Sequence, residues 1–126
     1  MGDKLFEVGK YIPKFNTLTG QALPCGPIYQ STGLQKHVKK HQKEKASIMS
    51  DIPVVIQQPD YIGCNPKEPD SVELVKKFNE NVMVCVELDS KNGYLYVASA
   101  FTISESKLNN RLNSGRLKTV DILLTR

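Results

Sequence analysis

Cysteine is scarce in this chain: Cys25, Cys64 and Cys85 are odd in number, scattered, and nowhere arranged as Cys-x-x-Cys. A disulfide framework is therefore not expected, and free thiols buried in a reducing compartment are. No apolar run approaches the roughly 18 residues that a membrane-crossing helix needs. The Met-Gly-Asp-Lys-Leu-Phe start has no apolar signal core, so cytoplasmic residence without a membrane partner is expected. Myristoylation is disfavoured because Phe6 stands where Ser or Thr would be wanted. There is no Walker loop, no Gly-x-Gly-x-x-Gly, no Gly-x-Ser-x-Gly and no EF-hand. Those absences set aside the common phosphate-loop, dinucleotide, α/β-hydrolase and calcium chemistries. Internal repeats and low-complexity blocks are also missing. The 126 residues suffice for one core, and residues 1–126 read as a single domain.

What is present is charge in blocks. Residues 35–46 carry five lysines against Glu44, and residues 107–126 carry Lys107, Arg111, Arg116, Lys118 and Arg126 against Asp121, a net of +4 in each. Residues 47–106 hold nine acids and four lysines, a net of −5. Two basic segments bracket an acidic middle. Brought together by folding they would make one positive cleft for a polyanion; on opposite faces they would be solvated surface.

Hydrophobic periodicity predicts an α+β fold: N-terminal helices, an antiparallel meander behind them and a late helix. Leu5 to Ile12 reads as an edge strand, stopped by Pro13, and Ile28 to Gln30 as a short strand after a turn-rich stretch. Ser31 or Thr32 caps a helix predicted to run to about Ala46. A second, short helix is expected to start at Asp51-Ile52-Pro53 and to end before Pro59. Asp60 to Asn65 reads as a loop or short strand, and Ser71 to Phe78 is read as a strand. Asn81–Leu88 and Tyr94–Phe101, joined through Asn92-Gly93, form the strongest local signal, a hairpin. In the second of these strands Leu95, Val97 and Ser99 are assigned to one face. Thr102 to Glu105 fits a capping box before a helix carrying Leu108 and Leu112, stopped by Gly115. Thr119 to Thr125 is expected as a last strand or docking tail.

Gly33 to His41 contains both histidines and three lysines. On one continuous helix His37 and His41 would share a face, with Leu34 and Val38 on the same stripe. Histidine titrates near neutrality, so the pair could act as base and acid in RNA cleavage, with Arg116, Lys118 or Arg111 as the clamp on phosphate. Ser99 and Thr102 could donate hydrogen bonds to the same phosphate. The plain alternative is that His37 fills a core edge and His41 extends from a basic helix. A His-x-x-x-His pair also suits zinc. A third ligand would, however, have to come from a distant cysteine or acid, and Val38 stands where such helices carry Glu, so neither metal nor other cofactor is expected. Asn113 to Lys118 places two cations after a helix-ending glycine, a loop able to grip phosphate. Tyr94 and Tyr96 could stack on bases, although aromatics on a strand more often pack against the core.

Four segments in order carry a resemblance. They are Tyr29-Gln-Ser-Thr-Gly-Leu-Gln-Lys-His37 continuing to Lys40-His41; Pro59-Asp-Tyr-Ile-Gly63 with Asn65-Pro66; Tyr94-Leu-Tyr-Val-Ala-Ser99; and Ser114-Gly-Arg-Leu-Lys118. Together, over roughly residues 5 to 118, they resemble the phage-type nuclease domains of the barnase–EndoU–colicin–RelE-like superfamily. The resemblance implies a helical front on a four-stranded antiparallel sheet and a toxin-like, metal-independent endoribonuclease acting on RNA, tRNA among its targets. It also admits an inhibitor or immunity protein as partner. It implies catalytic roles for His37, His41, Ser99 and Arg116; the cations Lys36, Lys39, Lys40, Arg111 and Lys118 are read as the contacts to the nucleic-acid backbone. Lys40-His41 departs from the Arg-His step common in the family. A binding-only copy, an RNA- or protein-binding accessory or counter-defence module using the same cleft, is the alternative.

Overall fold

The computed structural model describes residues 4–38 and 42–120; the side chains of His37, Gln42 and Lys43 also lie outside the description. The β-branched residues Val82, Val84 and Val86 favour an extended chain. It pairs with the following strand across a loop in which Gly93 takes the left-handed conformation, φ 80°. Around this hairpin the described chain runs β1 (Leu5–Tyr11), α1 (Pro13–Thr19), β2 (Gly26–Ser31), a 3₁₀ turn (Leu34–His37), α2 (Gln42–Gln57), β3 (Tyr61–Gly63), β4 (Ser71–Lys77), β5 (Asn81–Asp89), β6 (Tyr94–Ile103), α3 (Glu105–Ser114) and β7 (Leu117–Thr119). The strands form one sheet in the order β1-β2-β6-β5-β4-β3-β7. The fold is α+β, as expected, but the sheet has seven strands and is mixed, because β2 pairs with β6 in parallel.

The two faces of the sheet have different jobs. Val72 and Leu74 of β4, Val82, Val84 and Val86 of β5, and Leu95, Val97 and Ala100 of β6 face the main core. There they meet Ile48, Ile52, Val55 and Ile56 of α2, a stripe at four-, three- and one-residue steps. On the other face Val75, Met83 and Ile103 pack under Leu108 of α3, with Phe101 and Leu112 at the margin. The α3 helix caps only one end of this second face; the half nearer the β5–β6 loop presents Glu73, Cys85, Ser99, Glu87 and Tyr96, as the strand register requires.

Several local expectations give way. The basic segment is not one helix from Ser31 to Ala46: Val38 is extended (φ −86°, ψ 110°) after the 3₁₀ turn, and α2 begins at Gln42. Lysines three and four residues apart repel along a helix, while Leu34 and Val38 gain by entering the core. The single helix expected to carry both histidines is thus interrupted at Val38; His41 itself lies outside the described residues. Nor does a new helix start at Asp51: α2 passes through Pro53, and burial of its apolar stripe outweighs the lost backbone bond. The cap of α3 is Ser104, whose hydroxyl accepts from Lys107 N, while Glu105 instead accepts from Asn81 Nδ2. Helix α1 carries no sequence expectation, yet it starts on Pro13 and ends on left-handed Gly20. Residues 121–126, where the last strand or tail was expected to continue, lie outside the described residues. The three cysteines are free, but Cys25 is exposed and Cys64 and Cys85 only half-buried, so burial of the thiols is partial. Among the described residues no helix is long and apolar enough to cross a membrane.

Candidate active site

Strand register builds a polar line across the open half of the second face. Glu73 stands opposite Cys85, and Cys85 opposite Ser99. With strands about 4.8 Å apart, the line spans about 10 Å. Ser99 is there because of an irregularity: Cys85 pairs with Ser99 but Val86 with Val97, so Ala98 is an extra residue in β6. This bulge turns Ser99 away from Leu95 and Val97 and onto the opposite face, correcting the simple alternation. Thr102 pairs with Val82 and lines a groove with Glu44, Asp51 and Glu80 on the core side, so it does not share the Ser99 face.

Arg116 enters the line from its far end. Gly115 (φ 84°) closes α3 in the left-handed conformation, and the chain then turns back to pair β7 with β3. Gly63, opposite both Leu117 and Glu73, has to be glycine: a Cβ there would collide with the Arg116 carbonyl oxygen. Cys64 N donates to that same oxygen at 3.3 Å. Held this close, Arg116 donates from Nε to Glu73 Oε1 at 2.9 Å and from Nη2 to Oε2 at 2.6 Å, a fork-on-fork pair. The Glu73 side chain is 5% exposed and that of Arg116 25%. The hydrogen bonds that Arg116 donates to Glu73 push its pKa up, burial opposing. Between the pair and Ser99, burial pushes the Cys85 thiol up to about 11, the Ser99 hydroxyl pulling the other way. Cys85 is thus a neutral thiol near pH 7 and a poor nucleophile. Arg111, in the last turn of α3, donates from Nη1 to Met83 Sδ at 3.4 Å and lies within electrostatic reach of Cys85.

Of the residues singled out from sequence, the structure therefore brings Arg116, Arg111 and Ser99 to one face. Lys118 follows on β7, exposed, lining with Arg116, Gly63 and Cys64 a groove of about 590 Å³. The 3₁₀ turn bearing His37 and the exposed Lys36 packs against β6. Because β2 and β6 are parallel, Ser31 leaves β2 near Ala98, and the turn reaches the same half of β6 that carries Ser99. Its flanking Leu34 and Val38 enter the core on the opposite face. Lys39, Lys40 and His41 and the side chain of His37 lie outside the described residues. Lys45 lines a groove with Phe6 and Gln30 beside β1 and β2, away from Arg116, so this described part of the first basic segment does not join the second. Among the described residues no three of His, Cys, Asp and Glu are grouped to hold a metal ion.

Glu73, and the joining of Tyr29 to Tyr94 and Tyr96, went unread in the sequence. Glu73 sits in a stretch with ordinary strand patterning, and its partner lies 43 residues away. Only the step of β4 that puts a carboxylate among Val72, Leu74 and Val75 hints at a buried charge needing a cation. The three tyrosines Tyr29, Tyr94 and Tyr96 also share this face: Tyr29 is opposite Tyr96, and Tyr94 and Tyr96 are opposite Asp89 and Glu87. Their rings meet edge to face, Tyr29–Tyr94 at 5.7 Å and Tyr94–Tyr96 at 6.3 Å.

The family described as phage-Barnase-EndoU-ColicinE5/D-RelE like nuclease3 matches residues 7–110. The chain belongs to this nuclease family. The match takes in β1 through most of α3, hence the 3₁₀ turn, Glu73, Cys85, Ser99 and the tyrosines, but it stops before Arg116. Membership in the nuclease family thus supports a nuclease-type function and contact with nucleic acid, while the case for Arg116 rests on its geometry. No curated protein and no solved structure matches the chain.

Proposed function

We propose that this member of the nuclease family is a metal-independent, toxin-like endoribonuclease acting in the cytoplasm. It cleaves RNA by attack of the ribose 2′-oxygen on the adjacent phosphorus. The O2′–P bond forms and the P–O5′ bond breaks, leaving a 2′,3′-cyclic phosphate and a 5′-hydroxyl. One of His37 and His41 takes the proton of the 2′-hydroxyl, and the other gives a proton to the departing 5′-oxygen. Arg116 and the Ser99 hydroxyl meet the phosphoryl oxygens as charge builds on them. Glu73 is a positioning residue that fixes the guanidinium, leaving Nη1 without a hydrogen bond among the described residues. In support, the 3₁₀ turn that ends at His37 packs against β6, the strand that carries Ser99, past the last β2 pairing at Tyr29–Tyr96. Lys36, Lys39, Lys40, Arg111 and Lys118 hold the RNA backbone.

The observation that carries this reading is the line Arg116–Glu73–Cys85–Ser99 on an open sheet face, ending at the strand against which the His37 turn packs. Purified protein incubated in EDTA with total tRNA and a labelled RNA oligonucleotide tests it. Wild type cleaves to a cyclic phosphate, a DNA oligonucleotide is spared, and His37→Ala lowers the rate by a factor on the order of 10²–10⁴. Cleavage by His37→Ala at the wild-type rate removes that residue from the mechanism.

One observation favours a second reading. Two donors of Arg116 are already spent on Glu73, which neutralises its charge. A binding-only module would use the same face without cutting. It predicts salt-dependent RNA binding that Lys39→Glu weakens and His37→Ala leaves intact.

A further inference from the structure

We propose that Tyr29, Tyr94 and Tyr96 form a base-stacking platform for single-stranded nucleic acid, one step along the sheet from the Arg116–Ser99 line. The proposal deepens the nuclease reading and rests on it only for the position of the phosphate. Three of the five tyrosines gather here, on the sheet face away from the main core and beyond the reach of α3. All three are only half-buried. Their mutual contacts are edge to face, with interplanar angles of 87° and 71°, so neither contact is a face-on-face stack.

Charge orders the two halves of the face. Beside the tyrosines stand Glu87, which accepts from Tyr96 Oη at 3.4 Å, and Asp89, which is engaged in closing its loop through Lys91 N and Asn92 N. Burial and then Glu87 push the Tyr96 hydroxyl up, so it stays a protonated donor. Carboxylates repel phosphate, so a strand laid on this face puts its backbone toward Arg116 and Arg111 and its bases on the rings. Ser99 and Tyr96 are three residues apart in β6 with a bulge between them, about 7–10 Å. A single nucleotide spans that gap, phosphate at one end and base at the other.

The probe is a single-stranded RNA oligonucleotide carrying 2′-methoxy groups, which binds but cannot undergo 2′-attack. An abasic oligonucleotide of equal length keeps the phosphates and lacks the bases. The chain contains no tryptophan, so tyrosine emission reports stacking directly alongside the anisotropy of the labelled probe. Wild type binds the base-bearing probe on the order of tenfold more tightly than the abasic one, with quenched tyrosine emission. Tyr94→Leu loses that preference, and Tyr94→Phe keeps it. Equal affinity of wild type for the two probes overturns the platform, and this comparison needs no variant to fold. Tyr94→Leu, folded by circular dichroism and retaining the full preference, overturns it as well. Since the probe cannot be cut, the two readings fail separately. Cleavage without base preference sinks the platform alone, and tyrosine-dependent base preference without cleavage sinks the nuclease alone.

Discussion

A carboxylate as enclosed as that of Glu73 is costly to remove from water unless a cation and hydrogen bonds replace the solvent. Arg116 supplies both through two short bonds. Breaking the pair from one side strands a buried charge, so Arg116→Ala is expected to cost about 3 kcal/mol in urea unfolding. Loss of activity in that variant would say little about chemistry. Replacing both partners, Glu73→Leu with Arg116→Met, removes the charge and keeps much of the volume. That double variant is expected to unfold within about 1 kcal/mol of wild type and yet not cleave RNA. Full cleavage by a stable double variant would make the pair purely structural. Arg116 was legible in the sequence as a cation after a helix-stopping glycine. Glu73 was not, because nothing local marks a side chain whose partner arrives from 43 residues away.

At the scale of elements, patterns that depend on neighbours in sequence were readable and those that depend on distant chain were not. The hairpin of β5 and β6, the strands β1 and β4, and the α3 helix with Leu108, Leu112 and Gly115 all stand where periodicity and turn residues put them. The parallel pairing of β2 with β6 has no local signature, and it is what carries the histidine turn to the Ser99 half of the sheet. The bulge at Ala98 is equally silent in an alternating stretch, yet it decides which face Ser99 serves. Helix α2 shows tertiary packing overriding propensity: Ile48, Ile52, Val55 and Ile56 bury one face and hold Pro53 inside the helix. Gly63 shows the reverse, a small residue demanded by close approach of another strand. Gly63→Ala must push β7 off β3, and a loss of about 3 kcal/mol with a lower melting temperature is expected. An unchanged melting temperature would mean that β7 does not hold Arg116 in place.

For the molecule as a whole, one sheet divides two tasks. Its α2 side carries the main core, and its other side is half covered by α3 and half open, with cations at one end of the open area and tyrosines at the other. The acidic middle of the sequence supplies much of that sheet. The modest net charge of +4 therefore conceals a local arrangement in which Arg111 and Arg116 stand over Cys85 while Glu87 and Asp89 stand beside the rings. On the proposed function, one RNA strand occupies this face and, around the edge of β6, also meets the turn that carries His37. Amide shift changes in isotopically labelled protein, on addition of the uncleavable 2′-methoxy RNA, test it most directly. Ser99, Arg116, Tyr94 to Tyr96 and residues 34–38 are expected to shift together at one ligand concentration, with the outer side of α2 unaffected. Shifts confined to α2 and the β1–β2 edge, or absent from the Ser99–Arg116 line, would contradict it.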